Sequence, residues 1–158
     1  MDYYENHGQP LDHYIGWLDE KGYRDYTHIL PHDVNVRELQ TGKSRYEFLT
    51  EAGLNIDVAA KLSVEDGIMA VRKMLPNAWF NKETTKFGLE CLRNYRRVFN
   101  EKLNVYQEKP LHDWSSHCSD AFRYLAVGID TQGTSTRSNW NKPFESTYDG
   151  ESYKNQYL

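Results

Sequence analysis

Two short apolar runs, Tyr26–Leu30 and Leu54–Val58, constrain this chain more than any other feature. Both are too short for a typical helix. The second alternates apolar with polar through Leu54, Ile56 and Val58, the period of a strand with one covered face. Between them Ser44 stands where a helix cap belongs, ahead of a short helix through Leu49 that Gly53 stops. Strand, helix, strand in that order is the unit of a parallel sheet with helices on its faces.

The rest of the chain continues the alternation. Asp2–Glu5 reads as a further short strand, and Asp12 as the cap of a helix that carries Ile15 and Leu18 and ends at Gly22. Ser63-Val64-Glu65-Asp66 resembles a capping box with Asp in place of Glu. It opens a helix with Val64, Ile68, Val71 and Leu75 at helical spacing, closed by Pro76. A longer helix from Thr84 or Thr85 would carry Cys91 (or Leu92), Tyr95, Val98 or Phe99, and Leu103 on its apolar side, with Arg93, Arg96 and Arg97 opposite. A loop holding Pro110 leads to a last helix, about Ser116 to Val127, with Ser115 and Ser116 as suitable caps. The expected fold class is α/β: a small mixed sheet of about three visible strands packed with helices over residues 1–128, then a flexible, disordered C-terminal tail over 129–158. The tail's Trp140, Phe144, Tyr148, Tyr153 and Tyr157 suit docking on a partner.

Composition narrows the classes. Apolar residues make up 39% of the 158, and aromatics 14%, with 12 Tyr, so burial must lean on rings with polar ends. Against 19 Lys and Arg stand 23 Asp and Glu, which excludes a globally basic nucleic-acid module and leaves room for a local basic face. No run reaches the roughly 18 apolar residues of a membrane span, and no charged segment ahead of an apolar stretch marks a secretory signal. Cys91 and Cys118 lack the CxxC spacing of a zinc knuckle or redox pair and read as two buried free thiols in a reducing compartment.

Two constellations can carry chemistry. In Leu30-Pro31-His32-Asp33 a carboxylate follows the carboxyl end of a strand, where α/β folds put functional groups. In His112-Asp113-Trp114-Ser115-Ser116-His117-Cys118-Ser119-Asp120 two His and two Asp surround a helix start, with His117 and Asp120 three apart on one face. Asp33 and Asp120 together suggest hard oxygen ligands for Mg²⁺ or Mn²⁺, a pair of which can clamp an in-line phosphodiester hydrolysis. Zinc held by His112, His117 and Cys118 is the rival, although adjacent helical residues point apart. Thr41-Gly42-Lys43-Ser44 resembles the end of a nucleotide-binding P-loop, but Arg37 occupies the position of its first glycine, which argues against ATP binding. Lys43, Arg45, Arg93, Arg96 and Arg97 are candidate contacts to DNA phosphates.

Five blocks in order resemble the nuclease domain of tailed-bacteriophage large terminase subunits: Tyr26–Asp33, Thr41–Arg45, Leu62–Ile68, Leu92–Arg97 and His112–Tyr124, within roughly residues 1–128. The resemblance implies a partial RNase H-like fold, a metal-dependent endonuclease acting on concatemeric double-stranded DNA during genome packaging, and two metal ions, Mg²⁺ or Mn²⁺, held by an acidic cluster. It implies the host cytoplasm as location, with the small terminase subunit and the portal protein as partners. Asp33 matches the family's second carboxylate and Asp120 its third, with Asp113 and His117 as weaker metal candidates. Asp2-Tyr3-Tyr4-Glu5 resembles the family's third strand, and the strand with the first carboxylate and the ATPase have no counterpart in these residues. Asp2 or Glu5 is an alternative for the missing ligand, or the missing N-terminal part of the large subunit would supply it as a separate polypeptide. The chain alone is therefore expected to be weakly active or inactive, and a non-catalytic assembly module of the packaging machinery is the alternative function.

Overall fold

The computed structural model describes residues 2–39 and 41–132. Its centre is a parallel pair, β1 (Thr27–Leu30) and β2 (Asn55–Val58), in register from Thr27 opposite Asn55 to Leu30 opposite Val58. Helices cover both faces, as the sequence order requires. On one face Leu30 and Ile56 meet Ile15 and Leu18 of α1 (Leu11–Glu20) and Leu49 of α2 (Arg45–Glu51). On the other, Ile29 packs with Ala70, Val71 and Met74 of α3 (Val64–Met74) and with Ala126 and Val127 of α5 (Ser116–Gln132). A third layer of contact comes from α4 (Lys86–Asn94), which lies against α5.

Local chemistry explains the element boundaries. Ser44 and Glu47 form a complete capping box at α2, each side chain bonding the other's backbone N–H. Ser63 caps α3 by accepting from the Asp66 N–H at 3.1 Å. After α1 the chain turns at Gly22, whose φ of +69° favours a residue without a β-carbon. At α5 the hydroxyls act differently from the expected caps. Ser116 is the first helical residue and its Oγ accepts from the Asp113 N–H, while the Asp113 carboxylate takes the Ser115 N–H and Oγ–H.

Several expectations are corrected. The segment Asp2–Glu5 is not a strand; it runs alongside α4 with a backbone bond from Tyr3 N–H to the Thr84 carbonyl, and among the described residues no strand pairs with it. The helix opened near Thr85 ends at Asn94, and the chain continues as an antiparallel hairpin, β3 (Arg97–Asn100) and β4 (Val105–Pro110). Tyr95, Val98 and Phe99 satisfy a helical period and a strand period equally over so short a run. The turn chemistry decides: Asn100 Oδ1 accepts from the N–H groups of Lys102 and Leu103, and Asn104 adopts φ of 54°, tolerable for Asn. The described strands thus form two separate two-stranded sheets rather than one mixed sheet. Of the expected apolar set on α3, Val71 packs into the core beside the buried Gly67 and Ala70, while Val64 and Leu75 are exposed. Helix α5 continues past Val127 to Gln132, so the tail does not begin at 129; the aromatic residues from Trp140 onward lie outside the described residues. Among the described residues no helix is long and apolar enough to cross a membrane.

Candidate functional site

The carboxyl end of β1 runs through Pro31 into a 3₁₀ turn, His32–Asn35, which carries Asp33. Val34 is buried beneath the turn and anchors it, so Asp33 is held outward; it is exposed, and its carboxylate has no hydrogen bond or ion pair among the described residues. The turn meets α5. The His32 ring stands 6.5 Å from that of Tyr124, and one turn further along, Gly128 lets α5 approach β1 so closely that a β-carbon there would lie 2.7 Å from Ile29 Cδ1 and Cγ2. Asp120 lies one turn before Tyr124 on the same helix. The segments that carry the two acidic candidates are therefore joined through one core.

Asp120 is oriented by three donors, all on one oxygen. Arg123 Nε and Nη2 each donate to Oδ1 at 3.2 Å, and the Tyr95 hydroxyl donates at 3.3 Å. Its Oδ2 has no hydrogen bond among the described residues, and the side chain is 37% exposed. Burial, followed by the nearby Asp120 charge, pushes the Tyr95 hydroxyl above its ordinary range, which keeps it a donor. Arg123 is 8% exposed and lies over Gly67, where a β-carbon would come within 2.7 Å of its Cδ and Cγ. Its guanidinium also stacks on Tyr124, 4.8 Å from the ring centre. A glycine on α3 thus makes room for the arginine that fixes the carboxylate.

The other metal candidates are engaged elsewhere. Asp113 pins the loop before α5 through Ser115 and stands 3.6 Å from Arg96. The two Ser115 donors, then Arg96, hold its carboxyl below the usual aspartate range. His117 is exposed, its ring 5.3 Å from that of His112. Cys118, the third member of the zinc alternative, is buried against Gly88 of α4, in keeping with two buried free thiols. Asp2 pairs with Lys21, and Glu5 accepts from the Tyr3 hydroxyl.

The divalent-cation centre is tested by donor type and by number. In type the fit is good: Asp33 and Asp120 Oδ2 are hard oxygen donors, and Nδ1 of His32, the residue before Asp33, is buried without a hydrogen-bond partner. In number it fails, because no group of three or more His, Cys, Asp or Glu side chains suited to a metal occurs among the described residues. These residues do not build the two-metal centre by themselves.

The basic candidates fall into two groups. Lys43 and Arg45 lie at the start of α2, which packs against the turn that carries Asp33; Lys43 pairs with Glu51 at 2.7 Å and Arg45 with Glu38 at 3.7 Å. Arg93, Arg96 and Arg97 lie at the end of α4 and start of β3, paired with Glu90, Asp113 and Glu65. A cleft of about 760 Å³ borders Lys43 and Arg45 but neither Asp33 nor Asp120. His32, Tyr95 and Arg123 were missed by sequence reasoning. Arg123 carried a signal, since a lone arginine among Ala121, Tyr124 and Leu125 on a packing helix needs a buried partner, and Asp120 stands three residues before it. Comparison with protein-family models, curated proteins and solved structures finds no match to this chain.

Proposed function

We propose that this chain is the nuclease-domain portion of a tailed-bacteriophage large terminase subunit, a partial RNase H-like fold in which Asp33 and Asp120 supply two of the acidic ligands for Mg²⁺ or Mn²⁺. The observation that carries this reading is the orientation of Asp120: one oxygen is fixed by Arg123 and Tyr95 and the other is left without a bond, one helical turn before Tyr124, whose ring neighbours His32 in the turn after β1. The substrate is double-stranded DNA during genome packaging in the host cytoplasm, with the small terminase subunit and portal as partners. Lys43, Arg45, Arg93, Arg96 and Arg97 are the phosphate contacts. The acidic partners of Lys43, Arg45, Arg93 and Arg97 are exposed, and exposed pairs contribute little, so DNA phosphates can replace them; Arg96, 3.6 Å from the half-buried Asp113, is itself exposed. Two carboxylates hold a hydrated Mg²⁺ less firmly than three, so the chain alone cleaves weakly. The test is nicking of supercoiled plasmid with Mn²⁺. Slow nicking that Asp120→Asn abolishes is expected, and equal nicking by both proteins would count against it.

A second reading, a non-catalytic assembly module, is favoured by the short donor count and by the exposure of Leu103, Val105 and Tyr106 on the hairpin. A chain that fails to nick with Mn²⁺ yet is retained by portal or small subunit would support it.

A further inference from the structure

Away from the acidic pair, α4 and α5 cross at Gly88. There the Cys118 thiol lies 3.5 Å from the position of a Gly88 β-carbon and 3.8 Å from the Gly88 carbonyl oxygen, to which it donates. Cys91 sits almost one turn further along α4, fully buried, and the two thiols are within hydrogen-bonding reach of each other. Both are free.

One residue covers this pair. The Tyr3 ring comes within 3.2 Å of the same Gly88 β-carbon position and packs on Phe87 at 5.7 Å. Its hydroxyl is within bonding reach of Cys118. The cover is held by the Tyr3 N–H to the Thr84 carbonyl at 3.1 Å, by a half-buried Asp2 that pairs with Lys21 at 3.3 Å, and by the neighbouring Tyr4, which stacks on Trp17 of α1 with ring centres 4.9 Å apart. Burial raises both thiols, Cys118 to about 12, so the covered pair is protonated and slow to react. Lifting the cover brings water and the thiolate form within reach.

We infer that Cys91 and Cys118 form a gated oxidation site, a dithiol that a small peroxide converts to a disulfide joining α4 to α5 once the Tyr3 segment lifts. Cys118 is 8% exposed and Cys91 0%, so Cys118 reacts first. Its thiolate attacks a peroxide oxygen and the O–O bond breaks. Hydroxide leaves and is protonated to water, and Cys118 becomes a sulfenic acid. The Cys91 sulfur then attacks the sulfenic sulfur, the S–S bond forms, the S–O bond breaks, and a second water leaves with the Cys91 proton. Two thiols are oxidised and one hydrogen peroxide is reduced to two waters.

The experiment exposes the full folded chain to hydrogen peroxide and follows the Cys91–Cys118 cross-linked peptide by mass spectrometry. The parent is expected to lose two hydrogens and give that cross-link, reversed by dithiothreitol. Tyr3→Ala is expected to form it at least severalfold faster. Asp2→Ala, which loosens the cover without touching the thiols, should accelerate it in the same direction if Tyr3→Ala folds poorly. Cross-linking only in denaturant, overoxidation of Cys118 with no cross-link, or rates unchanged in both cover variants would overturn the inference.

Discussion

The face where α5 crosses β1 and α3 and the β3–β4 hairpin are built on opposite plans. On the first, two glycines bring backbones close: Gly128 against Ile29 and Gly67 beneath Arg123. Ala126 and Val127 are nearly inaccessible, and the ion pair of Arg123 with Asp120 is fixed within the packing. On the hairpin, Phe99 and Tyr106 face each other with ring centres 5.0 Å apart, yet both remain substantially exposed, and β4 is exposed along most of its length. The first region transmits any change in volume to its neighbours, because close-packed contacts cannot absorb it. The second is held by its own turn and cross-strand pair. A candidate functional carboxylate sits on the region that cannot shift.

The largest expected effect tests that rigidity. Gly128→Val would drive methyl groups into Ile29 and should lower unfolding stability by about 3 kcal/mol, at the upper end for overpacking. A urea titration showing little change would mean that the crossing yields. Arg123→Met keeps the volume but removes two bonds to Asp120. Because Asp120 is partly exposed, water takes over part of the loss, and about 1–2 kcal/mol is expected. A double-mutant cycle with Asp120→Asn should recover a coupling of about 1 kcal/mol, and additivity would show that the pair contributes nothing. In the hairpin, Phe99→Ala should cost less than about 1 kcal/mol. Amide exchange should open the hairpin before α5, and protection of β4 equal to that of α5 would erase the contrast between the regions.

The smallest effect is in pH. Ser115 and Arg96 lower the Asp113 carboxyl relative to an unfolded chain. A lowered carboxyl contributes stability that is present above its unfolded value and is lost as pH falls through its folded one. Thermal stability should therefore fall as pH drops below the ordinary aspartate range, and Ser115→Ala should flatten that dependence. An unchanged acid limb would show that the loop before α5 does not depend on this carboxylate.

Much of the helix–strand core was legible because its signals are local. Ser44 with Glu47, and Ser63 with Asp66, mark helix starts by side-chain chemistry that depends on three neighbouring residues. The alternation through Leu54, Ile56 and Val58 marks β2 in the same way. The hairpin was not legible, because the apolar side chains from Tyr95 to Leu103 fit either period and only the turn at Asn100–Asn104 distinguishes them. Asp33 and Asp120 stood out by position after a strand and on a helix. The support of Asp120 did not, since Tyr95 and Gly67 are remote in sequence and meet Asp120 and Arg123 only through packing.

Whether Asp33 and Asp120 serve one divalent cation, as proposed, is tested independently of DNA cleavage by paramagnetic broadening with Mn²⁺. Titrated into the labelled chain, Mn²⁺ should broaden the amide signals of residues 32–34 and 119–124 together, and Asp120→Asn should move both responses to higher Mn²⁺ concentration. Broadening confined to one segment, or unaltered by Asp120→Asn, would contradict the shared site.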